Sequence, residues 1–107
     1  MDAKEFVVNW NALRAELLAA FTAPDAASEV AAKVREMGLS ADQSVQMRAV
    51  LDTVVRDTMY ALLLGLDGEA SIGDSQQQFT IADEDGNVIQ GIEAEAWECF
   101  HGAARAG

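Results

Sequence analysis

Residues 77–90 read QQFTIADEDGNVIQ, and the fold class turns on how that stretch is read. From Gln77 to Ala82 the chain alternates, with Phe79 and Ile81 on one face and Gln78, Thr80 and Ala82 on the other. That period of two is the mark of a strand with one covered face. Asp83-Glu84-Asp85-Gly86-Asn87 follows, and Asp-Gly is a strong hairpin signal because both residues tolerate the positive φ of a tight turn. Val88, Ile89 and Gln90 make a return strand, and Gly91 closes it. The expectation is a β-hairpin. Two strands alone are marginal in water, so the hairpin must pack on other elements through Phe79, Ile81 and Val88 or Ile89, or pair with another chain.

The rest of the chain reads as helix. Asp2 and Glu5 have the spacing of a capping box, ahead of Phe6, Trp10, Leu13, Leu17 and Phe21. Those apolar residues recur every three or four positions and predict a helix near residues 3–21. Pro24 suits the first turn of a second helix, where its missing N–H costs nothing. Ala27, Val30, Val34 and Met37 form its stripe. Gly38 ends it, with Leu39 folding back as the apolar contact. Ser40 and Gln43 make another capping box and open the longest helix, about residues 41–64. Met47, Val50, Leu51, Val54, Val55 and Thr58 share one side, and Arg48, Asp52 and Arg56 form a charge ladder on the other. From Met59 to Leu64 the helix is apolar all round, which predicts that its end is enclosed on every side before Gly65 stops it. Residues 66–76 read as loop. A last helix near residues 92–101 carries Ile92, Ala96, Cys99 and Phe100 inward with Trp97 at its border, Gly102 stops it, and residues 103–107 are expected to fray. The predicted order is α-α-α-β-β-α, an α+β fold. At 107 residues the chain is one domain, with a helical part at 1–64 and an acidic loop, hairpin and helix at 65–107.

Charge placement says more than the net charge of −11. Residues 1–64 carry nine acids against six bases, but residues 65–107 carry nine acids against one base, Arg105. A field of nearly one sign repels nucleic-acid phosphates and anionic membrane surfaces and attracts basic partners. It also serves plain solubility. The single cysteine, Cys99, cannot form an internal disulfide, and the acidic N-terminus is not a secretory signal. A cytoplasmic protein is expected.

Motifs for chemistry are weak. Asp83-Glu84-Asp85-Gly86-Asn87 offers alternating oxygens as calcium loops do. An EF-hand wants Gly at its sixth position and Glu at its twelfth, and Val88 and Ala94 stand there. No metal or cofactor is expected. Cys99 and His101 are the only residues of their kinds, too few for a structural zinc site. As i, i+2 neighbours on a helix they point apart, which disfavours a nucleophile pair. The glycines of residues 65–73 lack phosphate-loop spacing. Asp67, Glu69 and Asp74 could do acid–base work only if one sits in a dry pocket.

Residues 58–73 (TMYALLLGLDGEASIG) and 79–87 (FTIADEDGN) together resemble small acidic bacterial domains, among which are immunity proteins of toxin systems. The resemblance implies a bacterial binding protein and carries no catalytic residue. The functional expectation is therefore a non-enzymatic binding protein, of immunity-protein or inhibitor type. It would meet a basic protein partner through Asp67, Glu69, Asp74, Asp83, Glu84, Asp85, Glu93 and Glu95. Two rivals stand beside it: a homo-oligomeric domain, such as a homodimer joined at the hairpin edge or the third helix, and a small enzyme using the loop carboxylates.

Overall fold

The computed structural model describes residues 1–75 and 77–102. It contains α1 (Ala3–Thr22), α2 (Glu29–Glu36), α3 (Ala41–Leu66) and α4 (Ile92–Trp97), the last running into a wider π-helical turn at Glu98–Gly102. Among the described residues there is no strand and no sheet. The fold is all-α, which corrects the α+β expectation. The predicted fraying of residues 103–107 lies outside the described residues.

The N-caps of α1 and α3 fall at Asp2 and Ser40, where the sequence puts them. The Asp2 side chain accepts the Glu5 amide at 2.8 Å. At Ser40 the box is complete, with Ser40 Oγ accepting from the Gln43 amide and the Gln43 side chain accepting from the Ser40 amide. Pro24 does not open α2. It occupies the second position of a turn closed by the Ala26 amide on the Ala23 carbonyl, where its fixed φ is favoured. Ser28 caps α2 instead, its hydroxyl accepting the Ala31 amide at 3.1 Å. Gly65 does not stop α3. The helix runs through it to Leu66, and Gly68 takes the left-handed conformation at φ 81°.

The predicted hairpin reverses the chain but does not become a sheet. The Asp83 amide donates to the Asn87 carbonyl at 3.0 Å and the Ile89 amide to the Ile81 carbonyl at 2.8 Å. These two bonds flank one antiparallel bridge, Ala82 to Val88. The ladder stops there for two local reasons. Upstream, the Gln78 side chain donates to the Gly68 carbonyl at 3.4 Å, tying the incoming arm to the end of α3. Downstream, Gly91 at φ 78° turns the return arm straight into α4. The arms are too short for more rungs. Of the hairpin's apolar residues only Ile89 is buried and Ile81 half-buried, whereas Phe79 and Val88 are exposed.

The core is built by α1, α3, α4 and Ile89. Val7 comes from α1, and Val55, Met59 and Leu63 come from α3 at steps of four. Ile92, Ala96 and Phe100 come from the C-terminal helix at the same step. Each set is one face of a helix. The stripe read on α1 needs a shift: Val7 is its buried residue, and Leu13 is 39% exposed. On α3 the buried face is narrower than expected, since Val50 and Val54 are about half exposed. Nor is the end of α3 enclosed on every side, because Leu62 is 47% exposed while Leu63 is fully covered. Polar anchors fix the register of α1 on α3. Trp10 Nε1 donates to the Met59 carbonyl at 3.2 Å. Arg14 donates to Asp52 at 2.9 Å and lies over the Phe100 ring.

Candidate functional site

The expected binding acids meet different fates. Asp67 closes α3 as its C-cap residue, and its Oδ2 accepts the Glu93 amide at 3.1 Å. It thereby caps α4, whose own N-cap is Gly91 with no side chain to offer. Negative charge at a helix N-terminus is favourable. Asp83 is committed too. Its Oδ1 accepts the amides of Asp85 and Asn87 at 3.0 and 2.9 Å, and its Oδ2 accepts the N-terminal ammonium at 2.8 Å. The bond to that ammonium and those to the Asn87 and Asp85 amides hold the Asp83 carboxyl far below its usual range. The same contact raises the N-terminal amine above its ordinary 8.0. Asp83 is therefore a fastener between the turn and the start of α1.

Glu84 and Asp85 stand exposed at the tip of that turn. Asp74 is exposed on a separate tight turn, where Ile72 and Ser75 exchange backbone bonds at 2.8 and 3.1 Å. Glu95 is half-buried on α4.

Three of the eight come together. Asp67, Glu69 and Glu93 line one open cleft of about 340 Å³, whose walls also hold Phe79, Ile81 and Val88. Glu69 and Glu93 are exposed. Phe79 and Val88 show 44% and 50% of their surface to solvent. Alternation placed Phe79 on a covered face and left Val88 or Ile89 open for the return arm; Ile89 is the covered one. The Ala82–Val88 bridge sets Val88 on the face opposite Ile81 and Ile89. Exposed carboxylates beside an apolar wall are suited to ion pairing with a cationic side chain. The acid–base chemistry considered for Asp67 and Glu69 calls for a dry pocket, and this cleft is open.

Burial pushes the Cys99 thiol up, away from thiolate, and the His101 ring packs against Tyr60 and Trp97 at 4.7 and 4.6 Å between centroids. Among the described residues no group of three or more His, Cys, Asp or Glu side chains could hold a metal ion. No helix among them is long and apolar enough to cross a membrane.

Compared with protein-family models, with curated proteins and with solved structures, the chain matches none.

Proposed function

We propose that the chain is a binding protein that captures a basic segment of a protein partner in the cleft between the end of α3 and the start of α4. The observation that carries this reading is the conjunction of Glu69 and Glu93 with exposed Phe79 and Val88 in one concave surface. Opposite charge speeds encounter and fixes register, and a desolvated aromatic anchor supplies most of the affinity. Glu84 and Asp85, exposed nearby in sequence on the turn, add long-range attraction without direct contact. Asp67 shapes the cleft by holding α4 and is a poor choice for testing recognition. An inhibitor or immunity protein that covers a cationic site on its target would work in this way.

The test is capture from a lysate of the source cells, with the wild-type chain and a Glu69→Lys/Glu93→Lys variant as parallel baits. A partner retained by wild type at low salt, released at high salt and absent from the variant supports the reading. A partner held equally by both baits at every salt concentration refutes it.

A further inference from the structure

The other end of α3 carries a second cleft of different character. It has a volume of about 530 Å³ and opens between the end of α1, α2 and the first three turns of α3. That volume lies within the ~300–1,000 Å³ usual for small-molecule sites. Leu51 lines this cleft and Asp67 the acidic one. Asp67 lies 16 positions after Leu51 at the end of α3, about 24 Å away at 1.5 Å per residue.

Two facts about the wall stand out. In a chain with 18 acidic residues, none of the residues lining this cleft is Asp or Glu, and two are arginines, Arg35 and Arg48. Among the described residues, Arg14, Lys33 and Arg56 are each paired with a carboxylate. Among the described residues, Arg35 and Arg48 bond only to neutral oxygens. Arg48 Nη1 donates to Thr22 Oγ1 at 2.7 Å. Arg35 Nη1 donates to the Ala26 carbonyl at 2.9 Å and the Pro24 carbonyl at 3.5 Å. Thr22 is the last residue of α1, and Pro24 and Ala26 lie in the connection to α2, so both guanidinium groups are fastened beside the same stretch of chain. Each uses one nitrogen there and keeps further N–H donors in its fork. The rest of the wall is apolar and includes Phe21, Val34, Leu39, Val45, Met47 and Leu51. The cleft therefore has a cationic end and an apolar body.

We propose that this cleft binds a small amphipathic anion of the medium-chain carboxylate class. The carboxylate would lie between Arg35 and Arg48, and the hydrocarbon would lie along Phe21, Val34 and Leu51. Two positioned guanidinium groups suit a planar carboxylate, and no carboxylate in the wall opposes the anion at contact range. The apolar wall favours the alkyl chain by ordinary burial. The acidic cleft takes the opposite charge, so the two sites are separable by experiment.

The test is titration of the full chain with sodium decanoate below its micelle concentration, followed by amide chemical shifts. Saturable shifts confined to residues that line the cleft are expected. Affinity should fall about ten-fold or more in Arg48→Gln and in Arg35→Gln, the loss typical of a charge-assisted hydrogen bond, and decanol should bind correspondingly weakly. Arg48 also bonds to the end of α1 and Arg35 to its connection with α2, so either change can loosen the fold. Val45→Glu covers that case: Val45 is 70% exposed, the fold has no need of it, and a carboxylate there should repel the ligand. Three results would overturn the proposal. The first is no saturable shift with decanoate. The second is binding unchanged in Val45→Glu and in the folded arginine variants. The third is a mass of the ligand-free chain that rises with its own concentration and stays monomeric in Val45→Glu, showing that a second copy of the chain fills the cleft.

Discussion

Leu62 and Leu63 are adjacent in α3 and identical in chemistry, yet Leu62 is 47% exposed and Leu63 is 0% exposed. Truncating each to alanine tests the rotation of α3 on the core. Leu63 packs with Val7, Met59, Ile92 and Phe100. Leu63→Ala removes roughly three methylene equivalents at ~0.8 kcal/mol each, and the residual cavity lifts the loss to about 3–4 kcal/mol. Against a total stability of about 5–15 kcal/mol for a domain of this kind, that is a large fraction. At about 4–8 °C per kcal/mol, Tm should fall by about 12–30 °C. Leu62→Ala loses about half the transfer term, leaves no closed cavity and gains a little helix propensity. Its loss should stay near 1 kcal/mol or less. The assay is urea and thermal unfolding followed at 222 nm, with an unchanged m-value as the check that the unfolded state is comparable. Equal losses at the two positions would refute the reasoning, because they would mean that α3 is covered all round at its end.

Two further outcomes follow from the polar fasteners. Asp67→Ala removes the carboxylate that accepts the Glu93 amide. It should cost about 0.5–2 kcal/mol and speed hydrogen exchange of the first α4 amides, while Asp67→Asn should recover most of the protection. The bond between Asp83 and the N-terminus predicts a pH window with two edges. The Asp83 carboxyl is lowered from its ordinary 3.8, so its contribution is complete above that value and is lost as pH falls through the lowered one. The N-terminal amine is raised above 8.0, so its contribution is complete below 8.0 and is lost as pH rises through the raised value. Stability measured from acid to alkaline pH should therefore fall at both ends, and both falls should shrink in Asp83→Asn. An alkaline limb that is identical in Asp83→Asn would show that the N-terminus is not held there.

The acidic cleft was half legible. Asp67, Glu69 and Glu93 stand out in the sequence as charges without neighbouring bases, and they do share a surface. Asp83 looks identical to them on the page, but its carboxylate is occupied by Asp85, Asn87 and the N-terminus. Charge is a property of a residue, whereas its availability depends on which amides lie within 3 Å. The cationic end of the second cleft was hidden for the same reason. Arg48 reads as a rung of a helical charge ladder, and only the fold places it with Arg35 beside the connection from α1 to α2.

What the sequence by itself determined is local and periodic. It marks the caps at Asp2 and Ser40, the left-handed residue at Gly38 and the inward face of residues 92–100. Each depends on side chains within a turn or two, where a bond either closes or does not. It also marks the reversal at residues 83–87, because Gly86 at φ 85° and the bonds from the Asp85 and Asn87 amides to Asp83 Oδ1 are local. What only the tertiary structure decided is whether that reversal becomes a sheet and which face of α3 is covered. A hairpin needs several rungs or a surface beneath it to persist. Here Gln78 reaches for Gly68, and Gly91 starts α4, so one bridge survives. On α3 the sequence offers more apolar faces than the neighbouring helices can cover, and the packing of α1 and α4 selects Val55, Met59 and Leu63. Burial is a competition among faces for limited surface, and no single stretch of sequence contains its outcome.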